Sequence, residues 1–263
     1  MTHFYKYVTP STGRAILEKG TLRWATPPTL NDPFDMQFAF QLRVDRDAVR
    51  RAAADKQWDH CQGRLLDKPP NRLGKLIRAL PGAFTQQTRE QFEATFQAGF
   101  DESFAAVSEY LPSLNADIRK MVSRDKIFCV SAVPDNILMW SYYAENHSGV
   151  VLRFDSNVHE SPLSEALEVE YVDHFPSIYD EETLSDILAG YGDLNRDWLL
   201  KAVVLTKYRP WAHEAEWRVY SGRGRISDAF EYVPFNPQEL DGLILGARLF
   251  NRGAGDGALA RSG

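Results

Sequence analysis

The chain has 263 residues, of which 36 are acidic and 30 basic, so its formal net charge is −6. Hydrophobic residues make up 44% and aromatic residues 12%, which supplies a folded core and excludes a mainly disordered chain. The acidic balance argues against broad binding of a nucleic-acid backbone, which needs a basic face. This length predicts one large domain or two small ones.

The cysteines and the apolar runs set the expected compartment. Cys61 and Cys129 are too few for a disulfide framework and lack metal-ligand spacing. No apolar run approaches the roughly 20 residues of a membrane span, and the opening MTHFYK has no signal-peptide core. We therefore expect a cytoplasmic protein with reduced thiols, without a metal site and without membrane association.

The first 44 residues predict three strands, one helix and one irregular loop. Residues 3–8, HFYKYV, are β-branched and aromatic, as is typical of a strand, and a short helix then ends at Gly20. Residues 21–25 predict a second strand. Three prolines and an Asn-Asp-Pro turn signal exclude regular structure over 26–35. Apolar alternation from Met36 to Val44 predicts a third strand with one buried face.

Residues 45–123 differ in composition from the rest of the chain. They are rich in strong helix formers and predict an insertion of three or four helices. Breaks are expected near Pro69-Pro70, Pro81-Gly82 and Pro112. The polar and aromatic motifs fall outside this block, so we expect it to contribute little to a cleft.

The remaining segments mix strands with short helices. This order favours an α+β domain over residues 1–250 with a mostly antiparallel or mixed sheet, and disfavours a doubly wound fold. The glycine-rich residues 251–263 predict a disordered or replaced tail. Strands are predicted at 126–131, 148–154, 167–172, 216–221, 230–233 and 243–246, and helices at 136–146 and, in two pieces, over 180–206.

The densest polar cluster is Asn31-Asp32-Pro33-Phe34-Asp35. Asn and Asp cap turns through their own side chains, so turn chemistry alone explains their presence. The alternative is a polar wall of a ligand pocket, because functional groups concentrate on loops held by a scaffold. The loop by itself leaves both readings open.

A second cluster lies in the predicted helix 136–146 and just after it. At helical spacing, Trp140, Tyr143 and His147 share one face. Such a stripe is commonly core-facing, with the histidine near the negative end of the helix dipole. The alternative is an aromatic shelf for a planar ring such as nicotinamide or adenine.

A third cluster surrounds the start of a late strand. Glu214 and Glu216 face the same side if the segment is extended, and two close carboxylates form an acid/base or cation-stabilising pair. Arg218 has the parity of Glu216 and would lower its pKa. The alternative is a Glu216–Arg218 surface pair with a solvated Glu214. His213 adds a possible metal ligand, but no second ligand pair accompanies it.

Several motifs together resemble a bacterial family, domain of unknown function 2971. They begin with FYKY at residues 4–7 and G-x-L-R-W-A-x-P-x-x-x-N-D-P-F-D at 20–35. They continue with the strand ending at Ser131 and the MW-x-x-Y helix that runs into a strand. The late motif K…W-x-x-E-x-E-W-R spans Lys207 to Arg218, and I-L-G closes the series at 244–246. The resemblance covers about residues 4–249 and implies no function by itself.

More weakly, the chain resembles the ADP-ribosyltransferase superfamily, which implies a split sheet with NAD as the substrate. By position, Lys6 stands where relatives carry a histidine on the first strand, and Ser131 is the middle-strand hydroxyl. Glu216 is then the catalytic carboxylate that stabilises the ribosyl cation, with Glu214 before it. Lys6 departs from the pattern because it donates hydrogen bonds but accepts none. The candidate cofactor-binding residues are Lys6, Tyr7, Asn31, Asp32, Asp35, Ser131, Trp140, Tyr143, His147 and Arg218.

The expected function is NAD-dependent ADP-ribosyl transfer or NAD hydrolysis, with an unknown protein or nucleic acid as acceptor. A toxin or phage-defence role is associated with the family's general setting. The alternative is a non-catalytic binding module for a nucleotide-like ligand. A metal-independent nuclease is a third reading, supported only by the local basic spot Arg223-Gly224-Arg225. The first two readings require the motif segments to converge on one cleft, and the transferase reading requires that Glu216→Gln abolish NAD consumption.

Overall fold

Residues 3–80, 87–223 and 228–250 are described by a computed structural model of the chain. They fall into two units. Unit 1 takes its residues from Met1–Phe38, Arg119–His174 and Val203–Gly263, and unit 2 from Ala39–Ile118 and Phe175–Ala202. The expectation of one domain over 1–250 stays a prediction, and the predicted tail and most of the basic spot lie outside the described residues.

The elements follow the predicted order closely. Strands come first, a block of helices follows, and strands mixed with short helices complete the chain, as expected. Within the described residues no helix is both long and apolar enough to cross a membrane. In chain order the elements are β1 (His3–Val8), α1 (Pro10–Lys19), β2 (Thr21–Ala25), a 3-10 turn (Pro27–Thr29), α2 (Arg46–Cys61), α3 (Arg72–Ala79), α4 (Arg89–Val122), β3 (Asp125–Ser131), α5 (Ile137–Tyr142), β4 (Val150–Asp155), a 3-10 turn (Pro162–Glu165), β5 (Leu167–Glu168), β6 (Glu170–Val172), α6 (Glu181–Leu188), α7 (Arg196–Leu205), β7 (Thr206–Tyr208), a 3-10 helix (Arg209–Glu214), β8 (Glu216–Arg223), β9 (Phe230–Pro234), a 3-10 turn (Pro237–Glu239) and β10 (Leu240–Leu245).

Local sequence explains both ends of α1. The Thr9 hydroxyl accepts a hydrogen bond from the Thr12 amide at 3.2 Å, which caps the first turn. Gly20 ends the helix with φ at 61°. This left-handed conformation is costly for residues with a Cβ atom and open to glycine. The cap and the glycine therefore set the length of the helix between β1 and β2.

The main sheet of unit 1 is antiparallel, in the order β10-β4-β1-β3-β2-β9, with β8 beside β3 and β5 beside β8. This arrangement confirms the α+β class with an antiparallel sheet. β8 pairs with β3 from Asp125 to Ser131. β1 and β2 share the other edge of β3, and each meets it through one residue pair, Tyr5↔Ser131 and Ala25↔Ile127. The sheet therefore opens between β1 and β2.

The core of unit 1 lies against this sheet. Trp24 stacks on Phe128 with ring centroids 5.8 Å apart, and Leu152 and Phe154 of β4 are fully buried. Burying such side chains contributes about 1.5–3 kcal/mol each. The packing holds the strands around the opening in place.

A short parallel pair in unit 1 positions two side chains that the sequence analysis did not single out. β6 pairs with β7, which sets Tyr171 opposite Lys207. The strand predicted over 167–172 is therefore two strands in different sheets. Val169 lies between them and donates its amide to the Glu216 carbonyl at 3.0 Å.

The strand predicted over Met36–Val44 is wrong. Met36 has φ at 57°, and the backbone of Phe40 pairs with the side chain of Asn115 in two hydrogen bonds of 2.8 and 2.9 Å. Met36, Phe38 and Phe40 are nevertheless buried. The alternation predicted which side chains are buried, but a side-chain amide replaces the neighbouring strand.

Unit 2 contains most of the helical block, and three helices occur in the described part of 45–123, where three or four were predicted. The break expected near Pro81-Gly82 lies outside the described residues. The expected break at Pro112 is wrong, because α4 continues through it. Phe100 before the proline and Ile118 after it are buried. Their packing offsets the roughly 3 kcal/mol cost of a proline inside a helix.

Candidate functional site

The site is built at the start of β8 and on the 3-10 helix before it. Ala215 joins the two elements with φ at 42°, a left-handed conformation uncommon outside glycine. Its carbonyl accepts the Ala132 amide at 2.8 Å, and the Ser131 hydroxyl donates to the Glu214 carbonyl at 2.7 Å. The end of β3 thus holds the turn that places Glu214 and Glu216.

Five charged side chains meet here, and we call them the acidic cluster. Lys207 Nζ is 2.7 Å from Glu216 Oε2 and 3.5 Å from Asp35 Oδ2, and it also contacts Glu214 Oε2. Arg218 donates from Nε to Glu216 Oε1 at 2.8 Å and from Nη2 to Asp35 Oδ2 at 2.6 Å. Both predicted glutamates therefore converge on one lysine.

Burial makes these contacts strong. The five side chains are between 0% and 7% exposed, so the alternative of a solvated Glu214 is wrong. Buried charges are costly unless they are paired. Three carboxylates face two cations, which leaves one excess negative charge when all five groups are ionised.

The three carboxyl groups of the cluster differ in the direction in which their pKa values are shifted. Burial raises the pKa of Glu214 and of Asp35, although nearby cations oppose the shift. Burial also opposes ionisation of Glu216, but Arg218 and Lys207 overcome it and hold the pKa of Glu216 well below its usual range. The Arg218 effect matches the parity argument from the sequence. The cluster titrates as a coupled unit, with Glu216 as its most firmly ionised member.

Neutral hydrogen-bonding groups complete the cluster. The Tyr143 hydroxyl donates to Glu214 Oε1, and the Tyr171 hydroxyl accepts the Glu216 amide at 2.8 Å. The Cys129 thiol contacts Glu216, and burial together with that carboxylate raises the pKa of the thiol. Cys129 is therefore a neutral donor rather than a thiolate nucleophile.

A cavity of about 290 Å³ lies in the opening of the sheet. β1, β2 and β3 all line it, and so do Asp35, Lys207, Glu214 and Glu216 of the acidic cluster. None of its lining residues comes from 45–123, as expected for the helical insertion. Eight predicted site residues line this cavity together: Lys6, Tyr7, Asn31, Asp35, Ser131, Tyr143, Glu214 and Glu216.

Two of these residues bond to backbone groups rather than to the acidic cluster. Lys6 Nζ donates to the Cys129 carbonyl at 2.6 Å, and burial lowers its pKa. The Tyr7 hydroxyl donates to the Val133 carbonyl at 2.7 Å, and burial raises its pKa to about 12. Because Cys129 lies between the residues that pair with β1 and β2, Lys6 supplies a donor inside the opening.

The Asn31–Asp35 loop contains both kinds of residue that its sequence allowed, one that caps a turn and others that line a pocket. Asp32 Oδ1 accepts the Phe34 amide at 2.9 Å, which is turn chemistry. Asn31 lines the cavity and contributes a hydrogen bond to Tyr143. Asp35 joins the acidic cluster, and within the described chain its Oδ1 atom is buried without a hydrogen-bond partner.

Trp140 and His147 do not line the cavity. Trp140 is buried, donates from Nε1 to the Pro134 carbonyl at 3.0 Å and packs edge-on against Tyr7. The His147 ring stacks on Trp140 at 6.3 Å. Trp140 therefore packs in the core, as the core-facing interpretation predicted. The predicted helical face does not extend to His147, because α5 ends at Tyr142 and His147 has φ at 68°. Arg218 likewise does not line the cavity. It donates hydrogen bonds to Glu216 and lowers the pKa of that carboxyl.

Lys207 and Tyr171 are the site residues missed as individual candidates. Lys207 was visible as the first residue of the late motif, but nothing in its spacing indicated contact with three carboxylates. Tyr171 left no signal beyond strand propensity. Among the described residues, no grouping of three or more His, Cys, Asp and Glu side chains has the arrangement of a metal site.

Comparisons with known proteins bear on the segment that carries this site. No curated protein and no solved structure matches the chain. Residues 139–219 match the model of one family, and they include Tyr143, Lys207 and both glutamates. That family is described as "Protein of unknown function (DUF2971)", and the match supports, over this segment, the resemblance that the motifs predicted.

Proposed function

We propose that the protein catalyses NAD-dependent ADP-ribosyl transfer or NAD hydrolysis in the cytoplasm. The observation that supports this most is Glu216, a carboxylate held ionised by Arg218 and Lys207 on the wall of a cavity. Lys6 and Ser131 line the same cavity. The opening of the sheet between β1 and β2 supports the ADP-ribosyltransferase-like split sheet that the resemblance implies.

The chemistry follows from the charge of Glu216. The bond between ribose C1′ and the nicotinamide nitrogen breaks, and its electron pair leaves with nicotinamide. Positive charge develops on the ribose, where a fixed carboxylate in a site of low dielectric constant stabilises it. Water or an acceptor hydroxyl then attacks C1′ and must lose a proton.

Glu214 is suited to receive that proton. Burial raises the pKa of Glu214, which makes it a stronger proton acceptor than an ordinary carboxylate. Tyr143 and Lys207 hold its two oxygens in place. In this proposal Glu216 stabilises the cation and Glu214 acts on the acceptor, which is a water molecule, a protein or a nucleic acid.

A second candidate is a non-catalytic binding module for a nucleotide-like ligand. One observation favours it: Arg218 and Lys207 already engage both oxygens of Glu216. A carboxylate engaged in this way is less able to approach a developing cation. In a binding module, the acidic cluster would hold the cavity in shape and the ligand would bind without bond cleavage.

The deciding experiment is nicotinamide release from NAD by the purified protein. We expect Glu216→Gln to lower the rate about 10²–10³-fold, the typical cost of removing an electrostatic group from an active site. Glu214→Gln is expected to affect transfer more than hydrolysis. Glu239→Gln is the matched control, because Glu239 is buried, its pKa is raised by burial, and it does not line the cavity.

Folding must be measured beside activity, because Glu216 balances the buried Arg218. Circular dichroism and urea denaturation establish the folded fraction of each variant under assay conditions. Nicotinamide release by folded Glu216→Gln at the wild-type rate would contradict the proposal. A folded wild type that binds NAD without releasing nicotinamide, across protein and nucleic-acid acceptors, would favour the binding module.

A further inference from the structure

Two cations line the cavity in addition to Lys207. Lys6 comes from β1 and Arg23 from β2, the two strands that separate at the opening of the sheet. Glu214 and Glu216 give the same cavity its negative charge. The cavity therefore carries groups of both signs, and a few placed polar or charged groups in a pocket are typical of ligand sites.

Among the described residues, neither of these two cations has a carboxylate within ion-pair distance. Lys6 Nζ donates to the Cys129 carbonyl and lies 5.0 Å from the centre of the Phe128 ring. The Arg23 guanidinium lies 4.5 Å from the centre of the Phe230 ring. Across the described ranges, no Asp or Glu oxygen lies within 4.0 Å of either side chain, whereas Lys207 and Arg218 pair with three carboxylates.

The two cations also repel each other. Burial is the main reason that the pKa of Lys6 is lowered; the charges of Glu216 and Glu214 oppose this shift, whereas the charge of Arg23 adds to it. An anion between them would remove this repulsion and favour the charged form of Lys6. Arg23 is exposed, so an anion reaches it without disrupting the core.

We propose that Lys6 and Arg23 form an anion subsite that binds a phosphate group of the ligand. The identification of that ligand as a nucleotide rests on the proposed function, whereas the subsite rests on the two cations alone. A guanidinium group donates two parallel hydrogen bonds to phosphate oxygens, and the lysine ammonium adds a compact positive charge. The subsite bridges the opening and orients the nucleotide relative to Glu214 and Glu216.

The test is calorimetric titration of the full chain with ADP, with adenosine and with inorganic pyrophosphate. We expect Arg23→Gln and Lys6→Gln each to weaken ADP binding about tenfold or more, the effect of losing a charge-assisted hydrogen bond. Both variants should bind adenosine with the same affinity as the wild type. Arg14→Gln is the matched control, because Arg14 is an exposed arginine on α1 that does not line the cavity.

The phosphate contact also predicts a salt effect. ADP binding by the wild type should weaken as salt rises, and this dependence should be shallower in Arg23→Gln. If Lys6→Gln fails to fold, Arg23→Gln carries the test, because the exposed Arg23 side chain packs on a single ring. Pyrophosphate that binds as tightly as ADP, with the same sensitivity to Arg23→Gln, would support the subsite and assign affinity to the phosphates alone.

Unchanged ADP affinity in folded Arg23→Gln, or equal weakening by Arg14→Gln, would overturn the subsite. Failure of the wild type to bind both ADP and pyrophosphate would also overturn it. These results are separate from catalysis. Nicotinamide release with no effect of Arg23→Gln on the KM for NAD leaves the proposed function standing without the subsite. ADP binding that depends on Arg23, without nicotinamide release, leaves the subsite standing without the reaction.

Discussion

Each unit of this protein buries a group of charges, and the two groups are built differently. In unit 1, the acidic cluster has three carboxylates for two cations, all at most 7% exposed. In unit 2, Asp186 lies between Lys56 at 2.6 Å and Lys68, whose side chains are 23% and 40% exposed. Solvent reaches the unit 2 cations, and only one of their carboxylate partners, Asp186, is buried.

The difference separates a structural ion pair from a candidate site. Asp186 ties α6 to α2 and to the segment after it, and Lys68 also pairs with the exposed Glu182 at 3.2 Å, so two carboxylates match two lysines that water screens. The acidic cluster keeps an uncompensated negative charge beside a cavity, where burial makes it expensive. Groups with strongly perturbed pKa values in a cleft are typical of functional sites. Three measurements can break or sharpen this contrast.

The largest expected effect follows from removing Arg218. Arg218→Met keeps most of the side-chain volume but leaves Glu216 and Asp35 without their main partner. Breaking a buried pair in this way costs about 3–5 kcal/mol of the free energy of unfolding, measured by urea denaturation. Arg153→Met is the control, because Arg153 pairs with Asp241 at the surface, where water screens the two charges and the loss should be much smaller.

A double variant tests the cause of that loss. Arg218→Met with Glu216→Met removes both charges, and the free energy of unfolding should recover a substantial part of what the single variant loses. Equal losses in the single and double variants would attribute the effect to packing rather than to an uncompensated charge. A loss in Arg218→Met no larger than in Arg153→Met would mean that water reaches the cluster.

A smaller effect is expected in unit 2. Asp186→Asn removes the charge between two lysines that water still solvates, and the expected loss is about 1.5–3 kcal/mol, the contribution of hydrogen bonds to a charged group. Urea denaturation measures it, and nicotinamide release by the folded variant should match the wild type. A loss as large as that of Arg218→Met would show that partial exposure does not distinguish the two groups.

The sequence predicted the parts of the site that depend on local pattern. The strand that begins at Glu216 and the shared parity of Glu216 and Arg218 both follow from a period of two residues. The position of Glu214 does not, because it depends on a left-handed Ala215, a conformation that the identity of an alanine does not indicate. Lys207 reaches the cluster through the pairing of β6 with β7, which is a non-local contact.

The segment from Met36 to Val44 shows that a local pattern can predict burial without predicting secondary structure. Its alternation correctly predicted buried side chains and wrongly predicted a strand. Periodicity reports which side chains face the interior, whereas a strand also requires a neighbouring backbone. Asn115, 75 residues away from Phe40, supplies the hydrogen bonds here, and no local pattern encodes that contact.

The smallest expected effect is a pH dependence of stability that the acidic cluster imposes. Glu216 has a lowered pKa when folded, so its contribution is present above its unfolded pKa of about 4.5 and is lost as the pH falls. Glu214 and Asp35 have raised pKa values when folded, so the folded state binds more protons above about pH 4.5. Their contribution therefore weakens as the pH rises through that window.

Glu214→Gln removes one of the two groups that cause this weakening. The free energy of unfolding should then fall less steeply above about pH 4.5 than in the wild type, by at most about 1.4 kcal/mol per pH unit for one proton. Urea denaturation at a series of pH values measures the slope. Glu102→Gln, at an exposed position of α4, should keep the wild-type slope. An unchanged slope in Glu214→Gln would mean that Glu214 stays ionised in the fold, and the excess charge would then lie on Asp35, whose Oδ1 atom has no hydrogen-bond partner among the described residues.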